Sequence, residues 1–134
     1  MLTVKTKVKS SKIHELGLFA DQIIPKGTTT WKFDPKFDIA FNSNEVEKMP
    51  EIQQGLIDKY SFLSKVSGRY IYSIDNTRFV NHSVKNNIDF ITNSNEPEFY
   101  SIANKDIQIG EELLINYKHL DAYDEKSNEN YLNN

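Results

Sequence analysis

The sequence predicts a mainly β domain of the α+β class, in which short strands separated by turns surround one helical stretch. Three observations carry that prediction. Apolar and polar residues alternate with period two near both ends of the chain, the pattern of half-buried strands. One central stretch instead repeats apolar residues at three- and four-residue spacing, as a helix does. At 134 residues the chain has the length of one core.

Taken in chain order, Thr3 to Lys9 alternates Thr and Lys with Val and reads as a strand. The run Ala20-x-x-x-Ile24-x-x-Gly27 recurs as Ala103-x-x-x-Ile107-x-x-Gly110, which implies two hairpin-like corners built alike, each with glycine where φ must be positive. Pro50, placed in a first turn, is followed by Ile52, Leu56, Tyr60 and Leu63. That spacing predicts an amphipathic helix over about 50–63, of about three to four turns. An extra turn at Asn44 to Met49, capped by Ser43 or Asn44, precedes it. Arg69 to Ile74 and Leu113 to Tyr117 read as further strands. From Asp121 the composition becomes polar, so the tail 121–134 is expected to fray unless something docks on it.

Composition narrows the function. Hydrophobic residues make up 38% and charged residues 26%, which is too apolar for a disordered chain. Sixteen basic against nineteen acidic residues give a net charge of -3. No sequence-wide basic footprint exists, so direct nucleic-acid binding is not expected, and the surface suits a basic partner better. The absence of cysteine excludes disulfides, Cys-type zinc sites, a thiol nucleophile and an iron–sulfur cluster, and no metal is expected. Met1 to Ser10 holds no signal-like apolar run, and no later run approaches the roughly 20 apolar residues of a membrane span. A cytoplasmic or nuclear protein that does not meet a membrane is therefore expected, or one secreted into a host if its source is a virus or an effector-producing cell.

The motif inventory removes several enzyme classes. None of the five glycines is spaced as a dinucleotide fingerprint or a phosphate-binding loop. His14, His82 and His119 lie far apart, and Ser83 directly follows His82, so neighbouring side chains on an extended segment diverge rather than form a nucleophilic pair. The densest polar cluster, Asp75 to Ser83 with Asn86 and Asn87 behind it, reads by itself as a loop whose side chains cap backbone groups.

Four segments in order change that weighing: Ile13-His14-Glu15-Leu16-Gly17-Leu18-Phe19-Ala20, Ile24-Pro25-Lys26-Gly27, Arg78-Phe79-Val80-Asn81-His82-Ser83 and Gly110-Glu111-Glu112-Leu113-Leu114-Ile115-Asn116-Tyr117. Together they resemble the SET-domain protein lysine methyltransferases, over roughly residues 3 to 118. The resemblance implies several short twisted sheets, a helical insert at about 34–68, and a C-terminal strand threaded as a pseudoknot. It places a SET domain at 1–120 and a polar tail at 121–134. The implied activity is methyl transfer from S-adenosyl-L-methionine to a lysine side chain of a protein or peptide substrate, histone-like among the candidates.

Position by position, the resemblance gives His14, Glu15, Leu16 and Gly17 a main-chain role at the cofactor. The Asn81 side chain would hold the methionine moiety and the His82 main chain would pair with the adenine edge. Tyr117 would be the catalytic tyrosine, with Ile115 two residues before it in the substrate channel; Phe90 is, by its aromatic character, a further candidate to line that channel. The chemistry suits these residue types. A lysine amine has an ordinary pKa of about 10.4, so a dry channel walled by aromatics must favour its neutral, nucleophilic form. A tyrosine oxygen can accept a hydrogen bond from that amine while its ring stays apolar.

The chain departs from the family pattern at Glu15, where many members carry the first glycine of a Gly-x-Gly pair, and at Val84 and Asn86, where cysteine and proline are common. Ile115 stands where the family is often aromatic. The zinc-binding cysteines that close the site in many chromatin enzymes are missing, so His119, Leu120, Tyr123 or a partner subunit is expected to close it, and the compact form is compatible with a homodimer. Two other readings stand beside the enzyme: a catalytically inactive SET-like module binding a basic peptide, with Glu15 blocking the cofactor, and an unrelated small β-rich interaction protein.

Overall fold

The computed structural model describes residues 1–121 and 130–134. Strands β1 (Thr6–Ser10) and β2 (Leu16–Ala20) form an antiparallel hairpin in which Val8 faces Leu18. A second sheet has β3 (Thr29–Lys32) and β8 (Ile88–Ile91) on either side of β9 (Tyr100–Ala103), all antiparallel. The third places β6 (Tyr70–Ser73) between β4 (Asp38–Phe41) and β5 (Ser61–Leu63). Strands β7 (Asn81–His82) and β10 (Leu114–Ile115) pair in parallel. Several small sheets with few helices are what the sequence predicts.

Two apolar clusters hold these pieces together. Leu18, Ile24, Ile88, Ile107 and Leu113 are buried in the first; Trp31, Ile71, Phe99 and Leu120 are buried in the second. Ile115 packs against both, so the strand that carries it couples the two halves.

The internal repeat is a real structural symmetry, and its two copies face each other rather than merely flanking the insert. Ile24 and Ile107 exchange both backbone hydrogen bonds, each at 2.9 Å. The Gly27 N–H donates to Ala103 and the Gly110 N–H to Ala20, both at 2.8 Å. Ala103 and Ala20 donate in return to Thr28 and Glu111, both at 2.9 Å. The glycines have φ of 84° and 82°, where a β-carbon is strained.

Several expectations about elements need correction. The first strand begins at Thr6 rather than Thr3, and the last covers only Leu114 and Ile115, because Asn116 caps a new turn, α3 (Tyr117–Leu120), by accepting from Lys118 N–H at 3.1 Å. The helix, α2, runs Glu51–Tyr60 with Pro50 as its N-cap, and Ser61–Leu63 is strand. Its expected apolar stripe is not its buried face: Ile52 is 83% exposed and Leu56 is exposed, whereas Ile57 is buried. Ser61 ends the helix with extended backbone, and Phe62 and Leu63 are drawn into pairing with Ile71 and Tyr70. The preceding turn, α1 (Ser43–Val46), is capped by Asn42 in a capping box with Glu45, one residue earlier than expected.

Because both corner glycines sit at positive φ, Gly27→Ala and Gly110→Ala are each expected to lower stability by about 1–2 kcal/mol in urea denaturation. Beside Gly110, burial raises the Glu111 carboxyl's pKa, but the Lys105 ammonium at 2.7 Å and the Gln108 N–H outweigh it and hold the group below its ordinary value of 4.5. A lowered value in the folded state means that this stabilisation is present above pH 4.5 and is lost as pH falls. The stability difference between wild type and Glu111→Gln should therefore shrink between neutral pH and about pH 3.

Candidate active site

The polar cluster that reads as a loop folds into a 3₁₀ turn at Asn76–Phe79, capped by Asp75, whose side chain accepts from Thr77 N–H at 2.9 Å. The second Asp75 carboxylate oxygen takes the Leu2 N–H at 2.7 Å, tying the N-terminal segment to the turn. Exiting this turn, the chain enters β7 with Asn81 and His82 both buried.

Parallel pairing sets His82 beside Ile115, and Ser83 N–H donates to the Ile115 carbonyl at 2.9 Å. Asn87, 2% exposed, clasps the same strand: its side chain accepts from Leu114 N–H and donates to the Glu112 carbonyl, each at 2.8 Å. These bonds hold the C-terminal strand where the resemblance implies a pseudoknot. Both ring nitrogens of His82 are engaged. Nδ1 accepts from the Tyr117 N–H at 3.0 Å, so in the neutral ring Nε2 carries the proton and donates to the Leu132 carbonyl at 3.1 Å. Tyr117 stands with its ring 5.2 Å from that of His82, and its hydroxyl donates to the Val80 carbonyl at 2.7 Å.

Opposite β7 lies the turn before β2. The Asn81 side-chain amide donates to the Leu16 carbonyl at 3.0 Å and to Glu112 Oε1 at 2.9 Å, with the His14 carbonyl at 3.4 Å. Glu15 has φ of 31°, in the left-handed region, which accounts physically for a preference for glycine there. Its side chain is 68% exposed, 3.9 Å from the Lys59 ammonium, and so is turned to solvent rather than across the site.

A cavity of about 1190 Å³ opens between these elements. His14, Asn81, His82, Phe90, Ile115 and Tyr117 all line it; Glu15, Leu16 and Gly17 are not among its lining residues. Its wall also carries Thr77 and Arg78, whose Oγ1 and Nε are buried without a hydrogen-bond partner among the described residues.

The family model for the SET domain matches residues 15–118, most of the chain and most of the site, His14 lying just before it. This chain belongs to the SET domain family. Members of that family are in general protein lysine methyltransferases that use S-adenosylmethionine. A Plasmodium falciparum crystal structure assigned as a histone methyltransferase superposes on this SET domain with a TM-score of 0.57 at 19% identity, covering 85% of this chain and 93% of that one. A humanised Chaetomium thermophilum Polycomb Repressive Complex 2 bound to an inhibitor gives 0.59 at 22%, covering 87% of this chain and 15% of that one. An apo form of ctPRC2 with substitutions in Ezh2 gives 0.64 at 24%, covering 92% and 16%. At these identities the likeness is one of fold, and the chain spans a small part of the last two. Comparison with curated proteins finds no match.

Of the residues expected to close the site, Leu120 lines the cavity while buried in the second core, His119 is exposed, and Tyr123 lies outside the described residues. Residues of the tail do dock: Asn130–Asn133 form a 3₁₀ turn, Leu132 is fully buried, and the Ser83 hydroxyl lies 3.4 Å from the Asn134 carbonyl. The sequence signal was available, since Leu132 is an isolated aliphatic residue in a polar tail. Val80, Asn87 and Glu112 were also missed as site-building residues; the first acts through a carbonyl that no side chain announces. Leu132→Ala is expected to cost about 2–3 kcal/mol in urea denaturation, against less than about 0.5 kcal/mol for Ile52→Ala on the exposed face of α2.

Proposed function

We propose that this SET domain is a protein lysine N-methyltransferase that takes its methyl group from S-adenosyl-L-methionine and acts on a basic, histone-like protein. One observation carries the proposal: the Tyr117 hydroxyl spends its proton on the Val80 carbonyl at 2.7 Å at the wall of the cavity that Asn81 and His82 also line. Having donated there, its oxygen can only accept further hydrogen bonds, which is the polarity that suits an incoming amine.

The residues present fit the cofactor. Both Asn81 amide protons are engaged by Leu16 and Glu112, so its remaining Oδ1 is an acceptor matched to the ammonium of a methionine moiety. The buried Arg78 Nε, without a partner among the described residues, offers a charge-assisted donor at the same cavity. When bound, S-adenosylmethionine supplies a methyl group on a cationic sulfur, open to in-line attack by a neutral amine. Phe90 and Ile115 exclude water from that line, and desolvation favours the neutral amine. Tyr117 orients the amine by accepting a hydrogen bond. Among relatives of like fold, a histone methyltransferase assignment and the acidic balance of this chain favour a basic substrate.

Incubation with labelled S-adenosylmethionine and a panel of histones, ribosomal proteins and cell extract is expected to label a lysine-bearing protein, and calorimetry to show one cofactor per chain. Tyr117→Phe keeps the ring, and should leave cofactor binding nearly intact while slowing transfer about 10²-fold or more. Failure of the wild type to bind the cofactor or its demethylated product at millimolar concentration would sink the proposal.

A further inference from the structure

Glu112 is a meeting point of three elements, although its motif assigns it no role. Oε1 accepts from the Asn81 side-chain amide at 2.9 Å and Oε2 from the Ser11 hydroxyl at 3.1 Å. Its backbone pairs with Phe19 of β2 in an isolated bridge, and its carbonyl accepts from Asn87 at 2.8 Å. The carboxylate also lies so close to Gly17 that a β-carbon there would stand 2.2 Å from Oε1. The bare glycine at 17 thus leaves the Glu112 carboxylate room to sit where it does. The Asn81 amide has two protons, one held by Glu112 and one by the Leu16 carbonyl at 3.0 Å, and the residue is only 6% exposed. Losing Glu112 strands a donor where water has little access, so the amide is expected to turn and release the 14–16 segment.

We propose that Glu112 is the positioning residue of the cofactor pocket, a clamp that fixes Asn81 and, through it and Ser11, the segment from Ser11 to Gly17. Its effect on binding rests on the reading of the cavity as a cofactor site; the clamp itself belongs to the ligand-free protein, so the two are tested apart.

Hydrogen exchange of the amides of residues 12–17 in ligand-free protein reads the clamp directly. Glu112→Ala is expected to accelerate exchange there about tenfold or more, with a smaller change at Ile24 and Ile107. Glu112→Gln should restore most of the protection, because its oxygen still accepts from Asn81 and its amide can donate to the Ser11 hydroxyl. Gly17→Ala displaces the carboxylate and should give the same local loss in the wild type, yet add little to Glu112→Ala. The other close neighbour, the Ser11 β-carbon at 3.0 Å, belongs to the released segment and can give way.

With S-adenosylmethionine, Glu112→Ala should raise Kd about tenfold and lower kcat at saturating cofactor by less. Uniform acceleration across residues 12–17 and the Ile24–Ile107 pair, no rescue by glutamine, or additive effects of Gly17→Ala and Glu112→Ala would each overturn the clamp. If the wild type binds no cofactor, the reading of the cavity fails, and the exchange measurements still decide the clamp.

Discussion

Everything chemical in this molecule depends on a parallel pairing of two residues with two, Asn81 and His82 with Leu114 and Ile115. Such a ladder is too short to hold itself, since closing the long intervening loop costs entropy that so few hydrogen bonds do not repay. Side chains make up the difference. Asn87 supplies both a donor and an acceptor to the C-terminal strand, and His82 receives the Tyr117 N–H at the strand's end. A buried asparagine so placed is costly unless every contact forms at once, which makes the arrangement cooperative.

The symmetric corners explain how that small clasp is brought into place. Ala20, Ile24 and Gly27 lock onto Ala103, Ile107 and Gly110 by reciprocal backbone bonds, and the first apolar cluster closes around them. From there Leu113 N–H donates to the Leu18 carbonyl at 2.8 Å, so the segment leading to Tyr117 leaves the corner already fixed against β2. The next residue, Leu114, already belongs to the clasp. The position of the tyrosine is therefore an extension of the core and not a property of a loop, which is what a site that must align two reactants requires.

Legibility from sequence follows the same physics. The corners were readable because positive φ leaves glycine nearly alone as a candidate, and the repeat spaced both glycines alike. His14, Asn81, His82, Ile115 and Tyr117 were readable through motif resemblance and Phe90 as an aromatic suited to a dry channel, and the structure brings them to one cavity. The end of the helix was not, because Tyr60 and Leu63 continue its spacing while the pairing of Ser61–Leu63 with β6 is decided by residues distant in sequence. Likewise the site's dependence on the Val80 and Leu132 carbonyls could not be read, since main-chain acceptors carry no residue signature.

The hydrogen bond from Tyr117 to Val80 also constrains how the proposed reaction disposes of protons. A tyrosine acting as general base would have to hold the amine's proton while keeping its own, or be ionised beforehand. An ionised oxygen would face the Val80 carbonyl oxygen at 2.7 Å with no proton between them, two acceptors in contact. The geometry therefore favours a tyrosine that stays protonated and orients the amine through its lone pairs. The lysine must lose its proton to solvent as its side chain enters the apolar part of the cavity. In the proposed reaction, desolvation by Phe90 and Ile115 rather than proton transfer to Tyr117 would set the nucleophile's charge, which would give the aromatic and aliphatic wall a chemical as well as a steric part.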